Sequence, residues 1–171
     1  MILISPPPVD LSEIEQILSD VYQVKAESAD HSMHTGDTVN TILKSFLVPG
    51  GALGNNGVIR LKAGGISRGN GGNKDYELKF GSSTGFVITI APSVDPVHWM
   101  MFATCHNLND VFAQHWTYLW FDGLTVGWNE TAHAGSQNTG VDKSLELKGK
   151  LSDVGDEVEC NAFTVEINPT T

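Results

Sequence analysis

The sequence predicts an all-β protein, a β-sandwich or jelly roll of eight or nine antiparallel strands, preceded by a Pro-rich arm and one short amphipathic helix. Three observations support this fold class. Only 18% of residues are charged and 18 are Gly, a composition typical of a compact β protein with many turns. Several segments alternate apolar and polar residues with period two. Gly- and Asn-rich turns separate these segments, without a helical pattern of useful length between them.

The first 38 residues are predicted to form an arm that anchors the sandwich domain, residues 39–171, to a partner. The run Pro6, Pro7 and Pro8 favours an extended polyproline conformation. Asp10 fits a helix N-cap, and Glu13 completes a capping box. An apolar stripe at helical spacing follows, formed by Leu11, Ile14, Leu18 and Val21. The pattern predicts a helix over about residues 10–24.

A helix this short is not stable alone in water, so it must dock on something. Two alternatives stay open: the helix lies on its own domain, or it packs on a partner or on symmetry mates. The polar residues 25–37 are interpreted as a linker between this helix and the sandwich.

Four segments of the sandwich alternate clearly, which indicates one buried and one solvated face for each strand. Their apolar positions are Ile59, Leu61 and Ala63; Tyr76, Leu78 and Phe80; Phe86, Ile88 and Ile90; and Leu145, Leu147 and Leu151. Near the end of the chain the phase changes. Val158, Cys160 and Ala162 hold one phase, and Phe163, Val165 and Ile167 hold the other. The change predicts a β-bulge around Asn161–Phe163.

Residues 98–106 and 115–121 are apolar on both faces, which predicts central strands or a face that meets another subunit. The side chains expected to need cover are Met100, Phe102, Trp116, Tyr118 and Trp120. They are candidates for a subunit interface. The alternate aromatic residues of the second segment are also candidates for a platform that binds sugar rings, with core or interface packing as the other alternative.

Composition and charge exclude several functions. The net charge of −10 argues against binding to nucleic acid or to anionic membranes. No apolar run is long enough to cross a membrane, and the first residues lack the pattern of a secretory signal. We therefore expect assembly in a cytoplasm. Cys105 and Cys160 lie in apolar runs and are expected to be buried free thiols, with a disulfide as the alternative.

No catalytic or cofactor motif is evident, so neither enzyme activity nor a cofactor is expected. The chain has no G-x-S-x-G and no P-loop. His31 and His34 resemble half of a metal site, but solvated polar residues in a linker are the simpler interpretation. His98 and His106 are predicted to share one strand face, too far apart to hold one metal within a chain. They could meet equivalent histidines across a three-fold axis, but core or interface histidines are the simpler interpretation.

Three segments resemble those of phage virion jelly-roll proteins. In SFLVPGGALGNNGVIRLKAGG, a strand ends at Pro49 and a Gly-rich turn leads into an alternating strand. In NGGNKDYELKFG, a Gly/Asn loop precedes the basic Lys74. In LELKGKLSDVGDEVECNAFTVEI, a polar loop with Asp156 precedes the final strand. The resemblance covers about residues 39–168.

The resemblance implies a jelly-roll sandwich, commonly trimeric, of the kind found in capsid decoration proteins, head fibres and tail fibres. It implies no catalytic residues. The expected function is that of a virion structural subunit that forms a homotrimer on the capsid, contacts the major capsid protein or other virion proteins, and stabilises the shell. The alternative is a receptor-binding tail-fibre or tail-tip domain that recognises a host-surface glycan.

Overall fold

The structure is a computed structural model that describes residues 23–123, 125–133 and 137–169, and the regular structure of these residues is β-strand. The all-β prediction is confirmed. The described residues form twelve strands where eight or nine were predicted: β1 Gln23–Ser28, β2 Ser32–Thr35, β3 Thr41–Val48, β4 Val58–Arg68, β5 Lys74–Phe80, β6 Ser83–Ile90, β7 Val97–Asn107, β8 Gln114–Phe121, β9 Val126–His133, β10 Lys143–Leu151, β11 Glu157–Cys160 and β12 Ala162–Asn168.

The strands build two antiparallel sheets. The large sheet has the order β1-β12-β4-β7-β8-β9, and β11 joins it by pairing with β4 and with β2. The small sheet has the order β3-β10-β5-β6. Aromatic rings of the small sheet contact rings of the large sheet across the core: Tyr76 lies 4.1 Å from Trp99, and Phe86 lies 4.5 Å from Tyr118, between ring centroids. The two sheets therefore pack face to face as a β-sandwich.

Most of the strand pairs are nested along the chain. β1 pairs with β12, β2 with β11, β3 with β10, β4 with β7, and β5 with β6. β8 and β9 stand outside this nesting, because they continue as a meander from β7 to the edge of the large sheet. The first described strand thus lies beside the last one, and the sandwich is closed by pairing between distant parts of the chain.

The alternation predicted the buried faces correctly. The apolar positions singled out in β4, β5, β6 and β10 lie in one hydrophobic core between the sheets. The bulge prediction is also confirmed. Val158 pairs with Ser67 but Ala162 pairs with Gly64, so four steps along one strand match three along its partner. The amide of Asn161 donates to the carbonyl of Gly64 at 2.8 Å at this point.

The predicted linker at residues 25–37 is wrong. This stretch holds β2 and most of β1, and both belong to the large sheet. The sandwich therefore begins before the predicted boundary at residue 39. The physical reason is their position: β1 lies at the sheet edge, and β2 pairs on one side only, with β11. Polar residues are favoured on such edge strands, which hides the apolar alternation.

The arm falls largely outside the described residues. Residues 1–22 carry Pro6, Pro7 and Pro8 and the predicted apolar stripe of Leu11, Ile14, Leu18 and Val21. The sequence pattern extends the predicted helix to residue 24. Its last two positions, Gln23 and Val24, are strand residues paired with Ile167 and Glu166.

Candidate interaction surface

The outer face of the large sheet carries a contiguous apolar surface. β7 and β8 alternate, so Trp99 and Met101 point into the core while Met100 and Phe102 point away from it. Strand pairing places Met100 opposite Phe121. The surface, called the outer strip below, consists of Met100, Phe102, Leu119, Phe121 and Val126.

The strip is accessible, and its two phenylalanine rings contact each other. Met100 is 46% exposed, Phe121 37% and Val126 63%. Phe102 meets Phe121 edge to face, with 6.4 Å between ring centroids. Single exposed apolar side chains are ordinary, but a contiguous group on one sheet face indicates an interaction site.

Two apolar hollows border the strip. The first lies on β12, β4 and β7 and is called the β4 groove; it has a volume of about 320 Å³ and is lined by Lys62, Gly64, Met100, Phe102, Ala162 and Thr164. The second, of about 330 Å³, lies at the start of β7 and is lined by His98, Trp99, Met100, Phe121 and Gly123. Both hollows widen the apolar surface beyond the strip itself.

Cationic and histidine side chains share this face. Arg60 and Lys62 alternate with buried residues of β4, and Lys62 Nζ lies 3.5 Å from a carboxylate oxygen of Glu166. His106 of β7 stands directly opposite His115 of β8. Partial burial, followed by the charges of His115 and Arg60, holds the pKa of His106 below its usual value. The lowered pKa favours the neutral form of His106 at pH 7.

Of the five predicted surface residues, Met100 and Phe102 lie on this face. Trp116 and Tyr118 do not: they are 3% and 0% exposed and belong to the core. Trp120 is partly buried against the core, where Phe86 lies 4.8 Å away between ring centroids. The expectation of a surface formed by these three aromatic residues is wrong for Trp116 and Tyr118, and the packing alternative describes them.

The sequence interpretation missed Leu119, Phe121 and Val126. β8 is apolar on both faces, and the sequence interpretation assigned the exposed surface to the face that carries the tryptophan rings. A signal was present, because Leu119 and Phe121 share their phase with the polar His115 and Thr117. A face that mixes polar and apolar residues is the outer face, whereas a face of three aromatic rings fills a core.

His31 and His34 lie beside different carboxylates. His31 Nε2 lies 3.1 Å from a carboxylate oxygen of Glu159, which Arg68 also contacts. His34 is buried, and its Nε2 lies 3.4 Å from a carboxylate oxygen of Asp37. Within the described part of the chain, no three His, Cys, Asp or Glu side chains are arranged to hold a metal ion.

A buried polar network fixes the loops at one end of the sandwich. The side-chain amide of Asn107 donates to the carbonyl of Gly54 at 2.6 Å and to the hydroxyl of Thr139 at 2.8 Å. The amide of Gln114 donates to Asn107 at 3.2 Å and its carbonyl accepts the N–H of Gln137 at 2.9 Å. Each of these polar groups is hydrogen-bonded to another group of the network. Such a fully bonded network stabilises the fold of the loops.

Comparison with known proteins gives no family for this chain: no family model matches it, and no curated protein matches it. Among the described residues, no helix is long and apolar enough to cross a membrane. The function must therefore be argued from the surface itself.

Proposed function

We propose that this chain is a non-enzymatic structural subunit of a phage virion, a capsid decoration or head-fibre base protein that self-associates on the shell. The outer strip carries the proposal. A sheet in a two-layer sandwich has one face in the core, and its other face is normally polar. Here Met100, Phe121 and Val126 are substantially exposed on that other face. A second copy would cover them.

The nested strand pairing supports a jelly-roll assignment, which we also propose. Rolling one long antiparallel ribbon produces such nesting, and the pairs β3·β10, β4·β7 and β5·β6 alternate between the two sheets. β8 and β9 are then an extension of the roll. They carry Leu119, Phe121 and Val126, three of the five strip residues. The extension thus supplies most of the surface that self-association needs.

The experiment is a measurement of solution mass by light scattering on full-length protein and on Phe121→Glu. We expect a mass of three chains for the native protein, because the resemblance implies a trimer, and of one chain for the variant, because a carboxylate would be buried in the interface. Val87→Glu is the matched control. Val87 is 45% exposed on β6 of the small sheet, away from the strip. A mass of one chain for the native protein at every concentration contradicts the proposal.

Shell binding is tested with particles that lack the subunit. Full-length protein and a truncation that starts at Gln23 are compared for occupancy and for particle stability to heat. The truncation must keep Gln23, because β1 pairs with β12 and the loss of β1 would leave that edge of β12 unpaired. We expect the truncation to fold but to bind the shell more weakly. Equal occupancy by both forms contradicts the anchoring role of residues 1–22.

One observation favours the alternative, a receptor-binding module for a host glycan. Ser93, Asp95, His98 and Asp122 line a hollow that adjoins the exposed ring of Phe121. Polar groups beside an aromatic ring can hold a sugar. This role predicts binding to immobilised glycans that His98→Ala abolishes without changing the solution mass. Absence of glycan binding by the native protein excludes it.

A further inference from the structure

The β4 groove is an apolar channel with a floor of small residues. Ala162, Gly64 and Met100 pair with one another across β12, β4 and β7. Gly64 and Ala162 leave space over the sheet beside Met100, and the neighbouring row of the groove consists of Thr164, Lys62 and Phe102. Such a groove fits a row of large apolar side chains from another segment.

The direction of β1 shows where the preceding chain comes from. Gln23 is opposite Ile167, and Ser28 is opposite Phe163. The strand thus runs toward the level of the groove, and its first residue, Gln23, lies at the end of β12 away from the groove. To enter the groove of its own copy, the chain before Gln23 would have to reverse direction, because β1 runs toward the level of the groove.

The size of the segment suits the groove. The predicted apolar stripe runs from Leu11 to Val21, which is about 15 Å at the rise of a helix. The groove and the adjoining strip cross four strands, β12, β4, β7 and β8, which is about 14 Å at the usual spacing. One stripe would therefore cover the groove and the centre of the strip.

Charge does not decide the docking. Residues 1–22 contain four acidic residues, Asp10, Glu13, Glu15 and Asp20, and no Lys or Arg. Arg60 and Lys62 lie on the face of the groove, but Glu166 lies 3.5 Å from Lys62 Nζ and stands opposite Arg60 in the strand pairing. The apolar fit and the length of the segment therefore carry the docking.

We propose that the N-terminal segment, residues 1–22, of one copy packs its apolar stripe into the β4 groove of a neighbouring copy. The inference rests on the self-association proposed above and names the contact that the arm makes within the assembly. The N-terminal segment of each copy would bind one neighbour, and the β4 groove of each copy would receive the segment of another. These contacts would hold the subunits together in addition to the contacts made by the outer strip.

The test is disulfide trapping between full-length chains that each carry one new cysteine. Leu18→Cys protein is mixed with Met100→Cys protein and oxidised gently. The control mixture pairs Leu18→Cys with Val87→Cys, since Val87 and Met100 are 45% and 46% exposed on opposite sheets. We expect about tenfold more two-chain product with Met100→Cys, because docking raises the effective concentration of the two thiols. Equal yields in the two mixtures overturn the arm exchange.

Two further measurements separate this inference from the proposed function. Light scattering on the same preparations reports self-association; a single-chain mass defeats both proposals, whereas a larger mass without selective trapping defeats only the arm exchange. The double variant Leu18→Cys/Met100→Cys reports docking within one chain. If its disulfide forms inside single chains, the arm lies on its own copy and the exchange is wrong. Gly64→Leu fills the groove and should lower the selective yield about tenfold.

Discussion

Lys74 Nζ lies 3.2 Å from a carboxylate oxygen of Asp156, and both side chains are almost fully buried, at 1% and 2% exposure. The ammonium group also donates to the carbonyls of Gly69 and Gly72. The carboxylate accepts the amides of Gly71 and Gly72 at 3.0 and 2.8 Å. The pair therefore clamps the loop after β4 to the loop before β11, which joins the two sheets at one end of the sandwich.

Breaking this pair should destabilise the protein strongly. Asp156→Asn leaves the Lys74 cation buried without its counter-charge, and we expect the free energy of unfolding to fall by about 3–5 kcal/mol. Urea denaturation at pH 7 measures the change. The double variant Lys74→Met/Asp156→Asn should lose less than the sum of the two single variants, because it leaves no unpaired charge. Additive losses would mean that the two charges do not interact.

The same pair predicts a loss of stability in acid. Burial acts to raise the pKa of Asp156, but hydrogen bonds from Gly71, Lys74 and Gly72 outweigh it and hold the pKa below its usual value. A carboxylate with a depressed folded pKa stabilises the protein above the unfolded pKa, about 3.9. That stabilisation is lost as the pH falls through the lower, folded value. Unfolding measured from about pH 6 down to about pH 2 should show this decline, and Asp156→Asn should reduce it. An identical decline in both proteins contradicts the assignment.

The two faces of β8 should respond differently to truncation. Trp116 is 3% exposed and packs against Phe80, with 5.7 Å between ring centroids. We expect Trp116→Ala to cost about 3–5 kcal/mol of stability, because it leaves a cavity in the core. Leu119→Ala, on the outer face of the same strand, should cost less than about 1 kcal/mol in a protein held monomeric by Phe121→Glu. Similar costs at both positions would contradict the phase of β8 described above.

Adjacent glycines of β4 should also differ. A Cβ at Gly65 would lie 1.9 Å from the carbonyl oxygen of Glu159, whereas a Cβ at Gly64 meets nothing closer than the carbonyl oxygen of Trp99 at 3.3 Å. Gly65→Ala must therefore push β11 away from β4, and we expect a loss of about 3 kcal/mol or more. Gly64→Ala should change stability by less than about 1 kcal/mol. Thermal denaturation compares the two; a neutral Gly65→Ala would contradict the close approach at the bulge.

The two thiols should be inert in the folded protein. Cys105 and Cys160 are free and buried. Burial raises the pKa of Cys160 to about 11 and raises that of Cys105 as well. Because the thiolate is the reactive form, we expect almost no alkylation at pH 8 until the protein unfolds in urea. Mass spectrometry counts the modified thiols, and rapid labelling of two thiols in native protein would contradict the prediction.

Alternation allowed the sequence to predict much of the core. Ile59 and Leu61, like Tyr76 and Leu78, are buried where period two placed them. The bulge near Asn161 could also be predicted from the sequence, because one extra residue reverses the phase of every side chain after it. These features depend only on neighbours along the chain.

The sequence did not predict β1, β2 or the outer strip. They are determined by contacts that the local sequence does not encode. β1 and β2 pair with strands near the other end of the chain, so their polar residues gave no strand signal. For β8, alternation could identify two apolar faces but not decide which one meets the core. The position of β6 opposite β8 decided it, by placing Phe86 against Tyr118.

The sequence by itself therefore determined the fold class, the buried faces of the strongly alternating strands and the acidic character of the protein, since composition and period two fix these locally. Only the tertiary structure decided which residues form a surface. It buried Trp116 and Tyr118 and exposed Leu119 and Phe121, because the choice between two apolar faces is made by the sheet that packs against one of them.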